Sequence, residues 1–115
     1  MKFLLLIHNT ADGDAAIESR LGAPGDRDAT HAAVIDELRA SGELLDTAPL
    51  AYERTLVRRG AAGVSAVTDG PFAEAREIVG GYYLVDVRDL DRAIEIAGRF
   101  VEADVVPVEV RAIAL

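Results

Sequence analysis

The chain opens on an apolar run, Phe3-Leu4-Leu5-Leu6-Ile7, followed by His8-Asn9-Thr10. At a strand's period of two, Phe3, Leu5 and Ile7 share one face while Leu4 and Leu6 share the other. Both faces are apolar, so this strand must be covered on both sides. From Asn9 to Arg27 the chain is rich in Gly, Asp and Ala, with a helical turn over Asp14–Leu21 and a break at Gly22-Ala23-Pro24-Gly25. Asp28 reads as the N-cap of a helix to about Ala40, stopped by Ser41-Gly42. Val34, Ile35 and Leu38 form the inward stripe of that helix, and His31 lies on the same stripe.

Leu44–Leu50 predicts a short strand ending at Ala48-Pro49. Tyr52–Arg58 and Val64–Thr68 then predict a hairpin around the glycine-bearing loop Arg59–Gly63. Asp69-Gly70-Pro71 ends the hairpin, and Pro71 suits the start of a short helical turn through Ile78. Gly80-Gly81 leads into a strand over Tyr82–Val87. Asp89 caps a second amphipathic helix from Leu90 to about Val101, with Leu90, Ala93, Ile94, Ala97 and Val101 facing inward. The closing strand, Val106–Ile113, alternates Val106, Val108, Val110 and Ala112 with Pro107, Glu109, Arg111 and Ile113.

The order is β-α-β, an inserted β-hairpin, then β-α-β. It predicts an α+β, ferredoxin-like split βαβ fold in a single domain spanning 1–115. Two helices cover only one face of a sheet. The two-sided first strand therefore predicts a second cover, and the sheet of a sister subunit in an isologous homodimer supplies it.

Composition narrows the function classes. The chain has 115 residues, with 12 Lys+Arg against 20 Asp+Glu for a net charge of −8, and no cysteine. A chain of this size buries about two-thirds of its unfolded surface, enough for one core without staples. Lacking cysteine, it has no disulfide framework, thiolate nucleophile or cysteine zinc site. The acidic balance argues against duplex nucleic acid and anionic membranes as partners. Arg54, Arg58 and Arg59 make a small basic spot, but no stacked aromatics accompany it. The opening apolar run is too short for a signal-peptide core or a membrane span, so the cytoplasm is the expected compartment. No dinucleotide, phosphate-loop, zincin or nucleophile-elbow motif is present, and the two histidines are not spaced as zinc ligands; neither cofactor nor metal is expected.

The candidate chemistry is sparse. His31 sits just inside a predicted helix N-terminus and faces the sheet. The positive helix end and burial both disfavour imidazolium, leaving a neutral ring suited to accept a proton. A core histidine bonded to a carbonyl or carboxylate is the plainer alternative. His8 ends the first strand, where sheets open into loops and pockets. In Asp69-Gly70-Pro71-Phe72, Asp69 can close an Asx turn and Phe72 can anchor the connection. Asp69, Glu74 and Glu77 place carboxylates close together, as acid–base work or a hard cation would need, and as the start of a helix needs for stability alone.

The stretch Val67-Thr68-Asp69-Gly70-Pro71-Phe72-Ala73-Glu74, with Glu77 and Gly80-Gly81-Tyr82 after it, resembles the DGPF family of the YCII-related superfamily. The likeness continues through Asp89-Leu90-Asp91 and Ala93 to Val108-Glu109-Val110-Arg111. It implies a ferredoxin-like fold that dimerises into an α+β barrel. Superfamily members carry a histidine opening the first long helix, then Gly, Leu-Leu and Gly-Pro; here the run reads His31, Gly42, Leu44-Leu45 and Ala48-Pro49, with Ala48 departing from the usual Gly. The resemblance implies that His31 pairs with an aspartate in a pocket. No motif places that aspartate, and Asp46 is the candidate by proximity.

The expectation is a cofactor-independent enzyme of isomerase, lyase or hydrolase type on a small molecule. His31 is its general base, Asp69 polarises the pocket, and His8, Asp46, Phe72 and Glu77 line it. The alternative is a non-catalytic dimeric module that binds a ligand or protein partner. The resemblance implies a partner of the extracytoplasmic-function sigma-factor type.

Overall fold

The apolar run that opens the chain lies in the middle of the molecule's main sheet. The computed structural model describes residues 1–23, 25–60, 63, 65–70 and 78–114, without the side chains of residue 11 and of 65–70. The elements are β1 (Lys2–Asn9), α1 (Ala11–Arg20), α2 (Asp26–Ser41), β2 (Leu44–Pro49), β3 (Arg54–Arg59), β4 (Ser65–Gly70), β5 (Ile78–Asp86), α3 (Leu90–Ala97), a 3-10 turn (Val101–Asp104) and β6 (Val108–Ala112). Four strands form an antiparallel sheet in the order β2-β5-β1-β6, and β3 and β4 pair separately as a two-stranded ribbon. This is a ferredoxin-like α+β arrangement with the ribbon inserted between β2 and β5. No described helix is long and apolar enough to cross a membrane.

The sheet sorts its residues as the period of two requires. Phe3, Leu5 and Ile7 of β1 and Tyr83 and Val85 of β5 are buried and pack with Val34 and Leu38 of α2 and Ala93, Ile96 and Ala97 of α3. Fully burying such a side chain is worth roughly 1.5–3 kcal/mol. Register brings Leu4 opposite Leu84 and Leu6 opposite Tyr82 on the other face, where all four are only half-buried and no described element covers them. Between Ile7 and His8 the pairing skips Gly80, so the Gly80-Gly81 pair lies inside β5 as a bulge rather than at its entry.

All three helices differ from expectation, α1 by starting at Ala11 on a Thr10 cap rather than at Asp14. α2 begins at Asp26 on an uncapped Gly25, one turn before the assumed Asp28 cap, so His31 sits in its second turn. The end is as predicted: Gly42 takes φ 78° and the Gly42 and Glu43 amides return to the Arg39 and Leu38 carbonyls. α3 stops at Ala97 against Gly98 instead of running to Val101. Its buried stripe is Ala93, Ile96 and Ala97, continued by Phe100, whereas Leu90 and Ile94 are 48% and 52% exposed. Phe100, 2% exposed, anchors the chain where the helix has ended and turns the following residues back under α2. Arg92 of α3 ties the layers together through Nε and NH2 bonds of 2.9 and 2.8 Å to Glu43.

Candidate functional site

The inward stripe of α2 drops His31 onto the helix-covered face of the sheet, over Tyr83 of β5. Its ring stacks on Tyr83 with centroids 5.8 Å apart and lies 5.3 Å from Phe100, itself 4.6 Å from Tyr83. The 3-10 turn delivers Glu102 from the other side. Its carboxylate receives His31 Nε2 at 2.8 Å on Oε1 and 2.9 Å on Oε2, while His31 Nδ1 meets the Tyr83 hydroxyl at 2.7 Å. Arg27, one turn before His31 on α2, donates from Nε to Glu102 Oε2 at 3.0 Å.

For the neutral form of the ring, the chemistry of its two partners orders the protons. Burial, the largest influence on Glu102, would raise its pKa, but the hydrogen bond and charge of His31 and the Arg27 bond outweigh it and hold the carboxyl below its ordinary value. An ionised carboxylate only accepts, so Nε2 carries the hydrogen it shares with Glu102. In the neutral ring Nδ1 is then the acceptor, and the Tyr83 hydroxyl donates to it. Burial, then the Glu102 charge, push the Tyr83 phenol up to about 12 against an opposing Thr47 hydrogen bond, so it stays protonated.

The network continues along α1. Arg27 NH1 donates to Asp14 Oδ1 at 2.8 Å, and the Tyr52 hydroxyl donates to Asp14 Oδ2 at 2.7 Å. Buried Asn9 donates to Asp14 Oδ1 and, at 3.1 Å, to the Tyr52 oxygen. Burial would raise Asp14, and the bonds from Arg27, Tyr52 and Asn9 bring it below its ordinary value instead. Two glycines make room: a Cβ on Gly13 would lie 2.7 Å from Asn9 Oδ1, and one on Gly80 would lie 3.2 Å from the Tyr52 ring. Among the described residues no buried side-chain nitrogen or oxygen lacks a partner.

His31, Tyr83, Glu102 and Arg27 line a cavity of about 540 Å³. Ile7, Ile35, Pro49 and Gly81 supply much of its apolar wall. The size and the mix of apolar surface with a few convergent polar groups suit a small organic molecule.

Of the six candidate site residues, His31 is the one among the described residues that lines this cavity. The carboxylate on His31 is Glu102, which corrects the expectation for Asp46: that side chain is exposed, accepts a 2.7 Å bond from the Tyr82 hydroxyl, and does not line the cavity. His8 pairs through Nε2 with Glu109 at 2.7 Å on the uncovered face. Asp69 lies in β4 opposite Thr55. Phe72 and Glu77 lie outside the described residues, as does the helical turn expected from Pro71 except for its last residue, Ile78, which instead begins β5. Sequence reasoning missed Glu102, Arg27, Asp14, Tyr52 and Tyr83. Gly98, inside the expected helix, was the available signal that the chain turns before Glu102.

The family model of the YCII-related domain matches residues 1–113. A shorter stretch of 39 residues is 49% identical to an uncharacterised protein of Rhizobium meliloti (strain 1021). That stretch takes in 34% of this chain and 32% of the relative, so the likeness spans about a third of each.

Proposed function

The chain belongs to the YCII-related domain family, and from that premise we propose that it is an enzyme performing acid–base chemistry on a small molecule, with the His31–Glu102 pair at its centre. One observation carries the reading: an imidazole held at both nitrogens, by a buried carboxylate and a phenol, stands on the wall of a cavity of about 540 Å³. A carboxylate behind the ring stabilises the imidazolium that forms when a proton is taken up, and holds the ring in the orientation that receives it. A merely structural histidine needs the same bonds but has no use for the adjoining cavity. The chemistry within reach is proton removal and return, as in isomerisation, elimination or water-assisted hydrolysis.

The test uses exchange with solvent. Wild-type protein is incubated in D2O with a pooled set of small keto and hydroxy acids, lactones and enols, and the pool is read by mass spectrometry. Deuterium incorporation or product formation by the wild type, abolished in His31→Asn, supports the assignment. A pool left unaltered by the wild type, or altered equally by His31→Asn, overturns it and leaves a module that binds without turnover.

The uncovered sheet face supports a second reading, an isologous homodimer. Leu4, Leu6, Tyr82 and Leu84 form a half-buried apolar patch there, rimmed by Asp46, His8, Glu109 and Arg111. Light scattering behind size exclusion should return twice the chain mass, and Leu6→Arg should halve it. A wild-type monomer at micromolar concentration removes this reading.

A further inference from the structure

We propose that the Tyr83 hydroxyl, rather than the His31 ring, is the atom that exchanges the proton with substrate, His31 being reached only through it. The inference rests on the acid–base reading of this site and deepens it. Glu102 commits Nε2, because an ionised carboxylate accepts the ring hydrogen on both oxygens at 2.8 and 2.9 Å. The one basic position left on the ring, the Nδ1 lone pair, is occupied by the Tyr83 oxygen at 2.7 Å. His31 therefore presents no free nitrogen to the cavity it lines.

Swinging the ring out would break both bonds and separate it from Tyr83 and Phe100, whose centroids lie 5.8 and 5.3 Å from its own. A relay avoids that rearrangement. As the substrate's C–H or O–H proton bonds to the Tyr83 oxygen, the phenolic proton passes to His31 Nδ1. The substrate keeps the electron pair, and the imidazolium is balanced by Glu102. Reversing the relay returns one proton to the product and restores phenol and neutral ring, with no oxidant or co-reactant. Burial and the Glu102 charge push the phenol up to about 12, so the relay starts from the protonated phenol. Tyr83 lines the cavity together with the apolar Ile7 and Ile35, so the relay opens on a wall suited to a substrate with an apolar body beside its acidic hydrogen.

The decisive measurements need no substrate. In protein carrying ¹⁵N-histidine, long-range proton–nitrogen spectra should show His31 as the Nε2–H tautomer, with its Nδ1 signal displaced upfield by an accepted hydrogen bond. Tyr83→Phe keeps the ring that packs on Phe100 and removes only the hydroxyl. It should move the Nδ1 signal downfield, leave His8 unchanged, and make His31 several-fold faster to react with diethyl pyrocarbonate. The unsubstituted protein gives an independent reading, a scalar coupling from the Tyr83 hydroxyl proton across to Nδ1. An Nδ1–H tautomer, or absence of that coupling together with unchanged Nδ1 shift and reactivity in Tyr83→Phe, overturns the relay. In the deuterium assay Tyr83→Phe should lose roughly 10²–10⁴-fold in rate, the usual worth of a positioned acid–base group. If Tyr83→Phe retains full exchange while His31→Asn loses it, the relay is wrong and the enzyme reading stands. If the nitrogen spectra come out as expected but the wild type exchanges nothing, the enzyme reading is what fails.

Discussion

Each face of the main sheet carries one histidine hydrogen-bonded to one glutamate, and the two pairs have nearly the same contact length. His31–Glu102 on the helix-covered side closes at 2.8 Å, and His8–Glu109 on the uncovered side at 2.7 Å. Their surroundings differ. The Glu102 side chain is 3% exposed and receives Arg27 as well, whereas the Glu109 side chain is 31% exposed and shares its second oxygen with Arg111, itself 69% exposed. In the first pair the carboxylate is buried, a phenol meets Nδ1, and both residues line a cavity. In the second, water and salt compete for every charge, and the contact orders little else. Contact length does not distinguish the two pairs; what surrounds each of them does.

Truncating each carboxylate breaks the comparison most sharply. Glu102→Ala leaves Arg27 and the His31 Nε2 hydrogen without their shared acceptor, and removing one partner of a buried pair costs about 3–5 kcal/mol. Urea denaturation should show that loss as a markedly lower midpoint. Glu109→Ala should leave the midpoint within error, because its partners turn to water. Equal losses for the two variants would mean that burial is not what separates the pairs.

A second contrast reaches the far end of the buried network through two glycines. Gly13 and Gly98 both belong to helix-end geometry, and helix propensity alone favours alanine at either by up to ~1 kcal/mol. A Cβ at Gly13, however, would meet Asn9 Oδ1 at 2.7 Å and Thr10 Oγ1 at 2.9 Å, displacing the α1 cap and the amide that holds Asp14 and Tyr52. At Gly98 the nearest atoms are carbonyl oxygens 3.5 and 3.7 Å away, ordinary contact distances. Gly13→Ala should therefore destabilise by about 1–3 kcal/mol, as overpacking does, and Gly98→Ala should be neutral or slightly stabilising in the same thermal melt. A neutral Gly13→Ala would show that Asn9 is free to move and that the network ends at Arg27.

The same contrast explains what was legible beforehand. β1, the ribbon, the end of α2 and the inward placing of His31 follow from periodicity and stop signals, which are local. Glu102 was hidden because the expected helix runs to about Val101, which puts Glu102 just beyond a helix end rather than on a turn under α2, and only the burial of Phe100 at 2% exposure shows where the chain turns. Arg27, Asp14 and Tyr52 come from segments with little apolar periodicity. They are brought together by tertiary packing around Ile17, which is fully buried, and by the space left at Gly80. Apolar patterning says which face is inside. It does not say which polar groups will be taken in with it.

Acid titration gives the smallest and most selective test. Asp14 and Glu102 are held below their ordinary values in the folded protein, so in the acid range the unfolded chain binds more protons and stability rises with pH. Their contribution is complete above the unfolded values of about 4 to 4.5 and is lost as the pH falls through the lower folded ones. Glu43, held at about 2 by Arg92, and Glu109, lowered first by the His8 bond, add to the same slope. Salt separates them. At about 1 M ionic strength the screening length is ~3 Å, so the exposed contributions shrink while that of Glu102 persists. Measured as urea midpoint against pH in high salt, Glu102→Gln should flatten the wild-type slope and Glu109→Gln should leave it unchanged. A slope that high salt abolishes in the wild type would place Glu102 in contact with water and remove the argument that burial sets the His31–Glu102 pair apart.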